Sequence, residues 1–343
     1  MSGSSGAAAA PALEQAAHAA RHAPSVHNTQ PWRWTLRRRT AELQLRVEPG
    51  RQLRAADPDG RLMLLSCGAA LHHARVALDA EGWRYEVART AGRQPGDAGA
   101  DGSLVPDPAQ PVAVLRAVDR GPADPAAMRR FQATLLRRTD RRTVTDEPVA
   151  PAALAAVVAA ALAEGAGLHV LRPAEVVDLA VAVERAELAE AADERQRAEL
   201  AAWVGGARPA GTGVPASAIP AEAPRTTVPE RDFGVAGTLP AGEGHDARAT
   251  YAVLYGDGDE AGDWLRAGEA LSAAWLAATE HGVTLLPFSA PIEVPFTREA
   301  LRRALSGVGH PHLAVRLGRA DPDHAGPPRT PRLPAEQVVE IVD

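Results

Sequence analysis

The chain has 343 residues, 45% of them hydrophobic, a formal charge of -6, and 37 basic residues that are all arginine. The acidic balance disfavours general binding to nucleic acid or an anionic membrane, which needs a basic field. The absence of lysine removes Schiff-base catalysis and the phosphate-binding lysine of a P-loop.

Aromatic residues make up only 4%, and the apolar content is mostly Ala, Val and Leu, so helix is expected to exceed strand. The length suits two domains or two similar halves. The single cysteine, Cys67, permits no internal disulfide and fits a reducing, cytoplasmic setting. Residues 1–10 lack a cationic start and a Leu-rich run, and read as a flexible tail rather than a signal peptide. The longest apolar run, from Leu154, is too short to span a bilayer.

Ala12 to His22 is helix-like, and Pro24 is expected to stop it, because a proline disfavours the helical conformation in the residue before it. "WRWTLRRRTAELQLRVEP" alternates around a turn at Arg38–Ala41 and reads as a hairpin. A turn, a long helix ending at Gly82, and two strands, "WRYEV" and "PVAVLRAV", follow. From Pro125 the spacing predicts a helix carrying "MRRFQATLLRRTDRRT", a helix over 151–164, the strand "GLHVLRP" and a helix over 174–202. Residues 204–247 turn rich in Gly and Pro, and read as either a disordered linker or a lid. The strand "ATYAVLYG", a turn and a second long helix come next. That helix, "GEALSAAWLAATEHG" from Gly268, matches "GAALHHARVALDAEG" from Gly68 in its opening Gly, its Ala/Leu pair and its closing Gly. The match suggests two copies of one unit packed through helices whose small residues permit close approach.

Two stretches concentrate chemistry. "APSVHNTQPWRW" supplies Ser25, Asn28 and Gln30, which donate and accept hydrogen bonds and suit the mixed edge of a heteroaromatic ligand. Taken alone it also reads as a helix-ending turn in which Ser25 and Asn28 cap backbone groups, with Trp32 and Trp34 in the core. "RRTDRR" offers planar guanidiniums and Thr139 as a phosphate cradle, or a solvated helix end whose arginines pair with nearby carboxylates. "PPRTPRLP" adds Arg329 and Arg332. His18 and His22 have metal-pair spacing but no accompanying HExxH glutamate, and no G-x-S-x-G or GxGxxG occurs.

Together these stretches resemble a known family. "AARHAPSVHNTQPWRW" is similar to the APSxxNxQPW signature of nitroreductase-like flavoproteins, and "RRTDRR" to their RRSxRxF segment. "DPDGRLMLLSCGAALHHARVAL" looks like the Acg-like actinobacterial branch. The resemblance spans roughly residues 13–333 apart from the Gly/Pro-rich segment. It implies an α+β nitroreductase-like fold of two pseudo-repeats, each with a mixed or antiparallel sheet flanked by helices and packed through the long Gly/Ala-rich helices. The first half would cover 11–124 and the second 125–335, with the insertion at 204–247 and a tail at 336–343. It further implies FMN as cofactor, NAD(P)H as a candidate reductant and a small-molecule acceptor.

Carried over by position, Arg137, Arg138 and Thr139 would hold phosphate or ribityl oxygens, and Arg141 the pyrimidine edge. Pro24, Ser25, Val26, Asn28 and Gln30 would come from the other half. Phe288, Ser289 and Ala290 would lie near flavin N5, and Arg329 and Arg332 would close on the phosphate. Ser289 and Ala290 stand where typical members have Glu-Gly, which puts ordinary nitroreductase chemistry in doubt. Each half keeps only one of the two complementary motifs, so one FMN site per chain is expected. A flavin-storing protein without turnover is the alternative reading. A chain carrying its own second half suffices as a monomer without forbidding a homodimer.

Overall fold

The computed structural model describes residues 3–91, 105–204, 208, 210–240, 242, 244–320 and 326–343, the first six of them as backbone only. Helix α1 (Gly3–Ala20) makes the segment expected as a flexible tail helical from Gly3; residues 1–2 lie outside the described residues. Its alanines pack without side-chain entropy cost, and Ala16, Ala17 and Ala20 are buried. The expected hairpin forms from β1 (Trp32–Arg37) and β2 (Glu42–Val47), with Trp34 opposite Leu45. Helix α2 (Arg61–Ala80) ends at Gly82, whose φ of 77° is one that a residue without Cβ adopts freely. β3 (Trp83–Arg89) and β4 (Ala113–Arg120) follow and join the same sheet.

Next comes α3 (Pro125–Leu136), capped by the Asp124 carboxylate on the Ala126 amide. The helix stops at Leu136, so the arginine motif expected on it occupies an irregular segment instead. α4 (Pro151–Ala163), β5 (Gly167–Val170), α5 (Pro173–Ala192) and α6 (Glu194–Trp203) follow. The single helix expected over 174–202 is broken at Asp193, which accepts hydrogen bonds from the amides of Arg195 and Gln196 and starts a new helix. After the insertion come β6 (Thr250–Gly256), α7 (Ala261–Glu280), β7 (Val283–Phe288), α8 (Ala290–Glu293), α9 (Pro295–Ala304) and β8 (His310–Arg319). The C-terminal stretch expected as a tail instead forms β9 (Val339–Val342), which pairs in parallel with β1, Trp34 lying opposite Val339.

The two sheets share one plan. The first runs β3-β4-β2-β1-β9 and the second runs, in the same sense, β7-β8-β6-β5. Val87 lies opposite Leu115, and Pro287 opposite Val315, so both strands of the second pair sit 200 residues on from the first. Between the sheets α2 crosses α7. A Cβ on Gly68 would fall 1.9 Å from the Leu265 carbonyl oxygen, and one on Gly268 1.9 Å from that of Leu65. The crossing therefore requires glycine on both helices. Leu265 joins the core of the first sheet and Leu65 that of the second, which couples the halves.

The Gly/Pro-rich insertion has a small apolar cluster of its own, formed by Val204, Val214, Ala218, Ile219 and Phe233. Short parallel bridges join Val204 to Val214 and Pro220 to Leu239. Two adjacent residues tie it down on different elements. Glu230 pairs with Arg316 on β8 at 2.5 Å, and Arg231 with Glu190 on α5 at 2.8 Å and Glu293 on α8 at 2.7 Å. Residues 205–207, 209, 241 and 243 of this insertion lie outside the described residues. No helix among the described residues is long and apolar enough to cross a membrane.

Candidate functional site

The loop between α1 and β1 is held in an unusual backbone path. His27, Asn28 and Gln30 have φ values of 47°, 55° and 50°, a region that costs a non-glycine residue about 1–3 kcal/mol. Side chains hold it there. The Ser25 hydroxyl accepts from the Gln30 amide at 2.9 Å, and the Ser66 hydroxyl on α2 accepts from the Val26 amide at 3.3 Å. Asn28 donates to the carbonyls of Gly213 (3.1 Å) and Pro331 (3.0 Å) and accepts from Arg332 (3.0 Å). Gln30 donates to Gly211 at 2.6 Å and accepts from the Leu333 amide at 3.0 Å. These two amides therefore fasten the loop to the insertion and to the C-terminal segment.

A cleft of about 1070 Å3, its solvent-open mouth included, lies beside this loop. It brings together Pro24, Ser25, Val26, Asn28, Arg137, Thr139, Arg141, Phe288, Ser289, Ala290 and Arg332, which the sequence singled out from four separate stretches. Gln30 is not among its lining; it is buried behind the loop with its amide spent as above. Arg138 and Arg329 line an annex of about 410 Å3 that shares Arg137, Thr139, Thr330 and Arg332 with the cleft.

The annex has excess positive charge. The charged groups acting on Arg137 are Arg332 and Arg138, and those acting on Arg332 are Arg138 and Arg21. Burial followed by this repulsion pushes Arg137 well below its ordinary value, and Arg332 down to about 10. Burial, followed by repulsion from Arg332, Arg21, Arg329 and Arg137, holds His22 down to about 4. Buried Nε atoms of Arg137 and Arg332 have no hydrogen-bond partner. Burying unpaired guanidinium charge costs several kcal/mol, and a bound anion with acceptor oxygens would remove that cost.

Beyond the annex the cleft floor is apolar and aromatic: Leu65, Leu271, Trp275, Leu286, Phe288 and Leu313 line it. The Arg137 guanidinium stacks 4.4 Å from the Trp275 ring centroid, joining the two zones. Arg141 donates to the Ala218 carbonyl at 3.0 Å and lies 5.1 Å from the Phe233 ring, so the insertion reaches over this end. Phe233 also meets His27 edge-on at 6.1 Å. Glu230, pushed up to about 7 mainly by burial, lines the same end. Arg316, 2% exposed, donates to the carbonyls of Asp140 (3.2 Å) and Arg142 (2.6 Å) and so supports the arginine segment from behind.

Trp275, Glu230 and Arg316 were not singled out from the sequence. For Trp275 a signal existed: it lies two helical turns beyond Gly268, on the helix that crosses at that glycine.

At the corresponding place in the other half stands a cluster of ion pairs. Arg75 and Arg89, each 200 residues before Trp275 and Ser289, both pair at 2.7 Å with Glu269, whose side chain has 0% exposure. Arg75 also pairs with Glu164 at 2.5 Å.

An α+β fold of two like-ordered sheets around crossed glycine helices, with a cationic and aromatic cleft where the halves meet, defines a nitroreductase-like class. Comparison with known proteins agrees with it. No family model matches the chain. "Putative NAD(P)H nitroreductase Rv3131" of Mycobacterium tuberculosis strain H37Rv is 38% identical over 338 residues, covering 93% of this chain and 88% of that protein. "Putative NAD(P)H nitroreductase acg" of the same strain is 33% identical over 336 residues, covering 96% and 95%. The chain belongs to the nitroreductase-like family, with Acg among its relatives. Among solved structures, the FMN-dependent nitroreductase NfnB of Mycobacterium smegmatis in complex with NADPH aligns with a TM-score of 0.39 at 18% identity, covering 64% of this chain and 100% of that one. An FMN-bound nitroreductase of Bacteroides fragilis aligns with a TM-score of 0.36 at 15% identity, covering 59% and 93%.

Proposed function

We propose that the chain holds one FMN in this cleft and acts as an oxidoreductase that takes electrons from NAD(P)H or an organic substrate and passes them to a small-molecule acceptor. The observation that carries the reading is the pairing of an arginine annex lacking a counter-charge with an aromatic floor in one continuous cleft. A flat heterocycle bearing a phosphate satisfies both zones. Arg137, Arg138, Arg329 and Arg332 would hold the phosphate, and Ser25, Asn28 and Thr139 the ribityl chain. Pro24, Val26, Trp275 and Phe288 would pack on the ring, and Arg141 would face its pyrimidine edge. Gln30 would act by holding the loop. When bound, FMN supplies hydride transfer at N5, and the residues of this chain bind, orient and shield it. Ser289 and Ala290 would border that atom.

The ion pairs at the pseudo-equivalent place support a reading of one site per chain. Arg75, Arg89 and Glu269 occupy the place corresponding to the cleft, and the short link from α4 to β5 replaces the Pro24–Gln30 loop.

A second reading, flavin storage, is favoured by Phe233, which lies between His27 and Arg141 as part of an insertion that would serve as a lid. Anaerobic addition of NADH or NADPH to the FMN-loaded protein separates the two. Bleaching of flavin absorbance within seconds supports the oxidoreductase. Flavin that only dithionite reduces supports storage, and a protein that stays colourless after reconstitution with FMN refutes both.

A further inference from the structure

A second cavity, about 970 Å3 of empty space, shares His27, Glu187, Arg231 and Phe233 with the cleft as a common wall and extends to Leu53 and α6. Its unmet hydrogen-bonding needs are opposite to those of the cleft. Three oxygens in its lining, Glu187 Oε1, Gln196 Oε1 and Glu293 Oε2, are buried without a partner, and all are acceptors. The orphaned nitrogens of Arg137 and Arg332 in the cleft are donors. Buried orphans of one kind point to a ligand of the other kind.

Charge sharpens the assignment. Glu190 and Glu293, the latter with a side chain 0% exposed, share the single guanidinium of Arg231. Glu187 makes no ion pair among the described residues. Leu53, Leu200, Val235 and Phe233 add apolar surface to a lining that also holds Glu199, Asp232 and Arg197. A neutral alcohol would supply one donor, whereas an ammonium supplies three along with a charge that matches the carboxylates.

We propose that this chamber binds an organic cation with an apolar body, an aryl or alkyl ammonium, whose N–H groups satisfy the orphaned oxygens of Glu187, Gln196 and Glu293. That such a ligand is the flavin's reaction partner, approaching past Phe233, rests on the FMN reading; its binding in the chamber does not.

Calorimetric titration of the full chain with phenethylamine, 2-phenylethanol and phenylacetate tests the proposal. The amine is expected to bind about tenfold or more tighter than the alcohol through its charge-assisted bonds, and phenylacetate not at all. Glu187→Gln should bring the amine close to the alcohol. Leu200→Trp, which fills the chamber from α6, should abolish amine binding and serves if the first variant fails to fold. Equal affinity for amine and alcohol, a preference for phenylacetate, no heat from the amine, or amine binding untouched by either substitution overturns the proposal. FMN retention, read from the visible absorbance of the same samples, separates the two ideas. A protein that binds the amine but never FMN keeps the chamber and sinks only the flavin reading.

Discussion

The two pseudo-equivalent places beside the α2–α7 crossing use arginine in opposite ways. In one, Arg75 and Arg89 are matched by Glu164 and Glu269 at 2.5–2.7 Å. In the other, Arg137, Arg138, Arg329 and Arg332 converge without a carboxylate partner among the described residues, and the space is open. Both sit on the same frame of helix and strand, so the fold does not decide between them. The difference lies in whether the chain supplies the counter-charge. Where it does, the arginine contributes to stability; where it does not, the buried charge costs the free protein stability and would favour a complex with an anion.

Substitutions can break that comparison at three levels. Gly68→Val removes the frame beneath both places, because its Cβ meets the Leu265 carbonyl; a loss of about 3 kcal/mol or more is expected from overpacking against backbone. A denaturant midpoint equal to that of the parent would show that the helices can separate without cost. Arg75→Met acts on the ion-pair cluster alone. It strands Glu164 and half of the partnership of Glu269, and is expected to cost about 3 kcal/mol while leaving FMN affinity unchanged. Arg137→Met should do the reverse. Removing an uncompensated buried charge is expected to raise the unfolding free energy of the flavin-free protein, read from its midpoint, by about 1–3 kcal/mol, and FMN binding should weaken about 10- to 100-fold through the lost charge-assisted bonds. The same two measurements serve both variants, and an Arg137 variant that is less stable yet binds FMN normally would make that arginine structural.

Much of this contrast was legible in the sequence, for identifiable reasons. A glycine pair at matching helix positions signals a backbone contact, and Gly68 and Gly268 do meet. Short motifs with fixed side-chain chemistry located most of the cleft, although its pieces lie as far apart as Pro24 and Arg332. What the sequence concealed depended on long-range pairing. α8, α9 and β8 were not foreseen, and β9 read as a tail because a four-residue strand has no periodicity of its own; its partner β1 lies about 300 residues away. The arginine motif read as helical because propensity is local. It leaves the helix because Arg316 bonds the carbonyls of Asp140 and Arg142 from β8. Gln30 looked like a ligand contact, but its amide is claimed by Gly211 and Leu333.

The smallest effect gives the most local test of where the anion sits. His22 borders the annex, and burial with Arg332, Arg21, Arg329 and Arg137 around it holds its pKa down to about 4 against an ordinary 6.5. The sign follows from linkage. In the folded protein His22 takes up its proton later than in the unfolded chain, so its contribution to stability is complete above pH 6.5 and is lost as pH falls from 6.5 towards 4. A phosphate placed among the arginines supplies the missing negative charge and should raise the pKa of His22, by about one unit or more for 1.4 kcal/mol of interaction. The flavin-free protein should therefore lose stability over that pH range more steeply than the FMN-loaded protein. The His22 ring resonances followed by NMR should titrate higher with FMN, and also with inorganic phosphate alone. Riboflavin, which carries the ring without the phosphate, should leave them where they were. A shift with riboflavin equal to that with FMN would place the arginines against the ring and remove the basis for assigning this annex to phosphate.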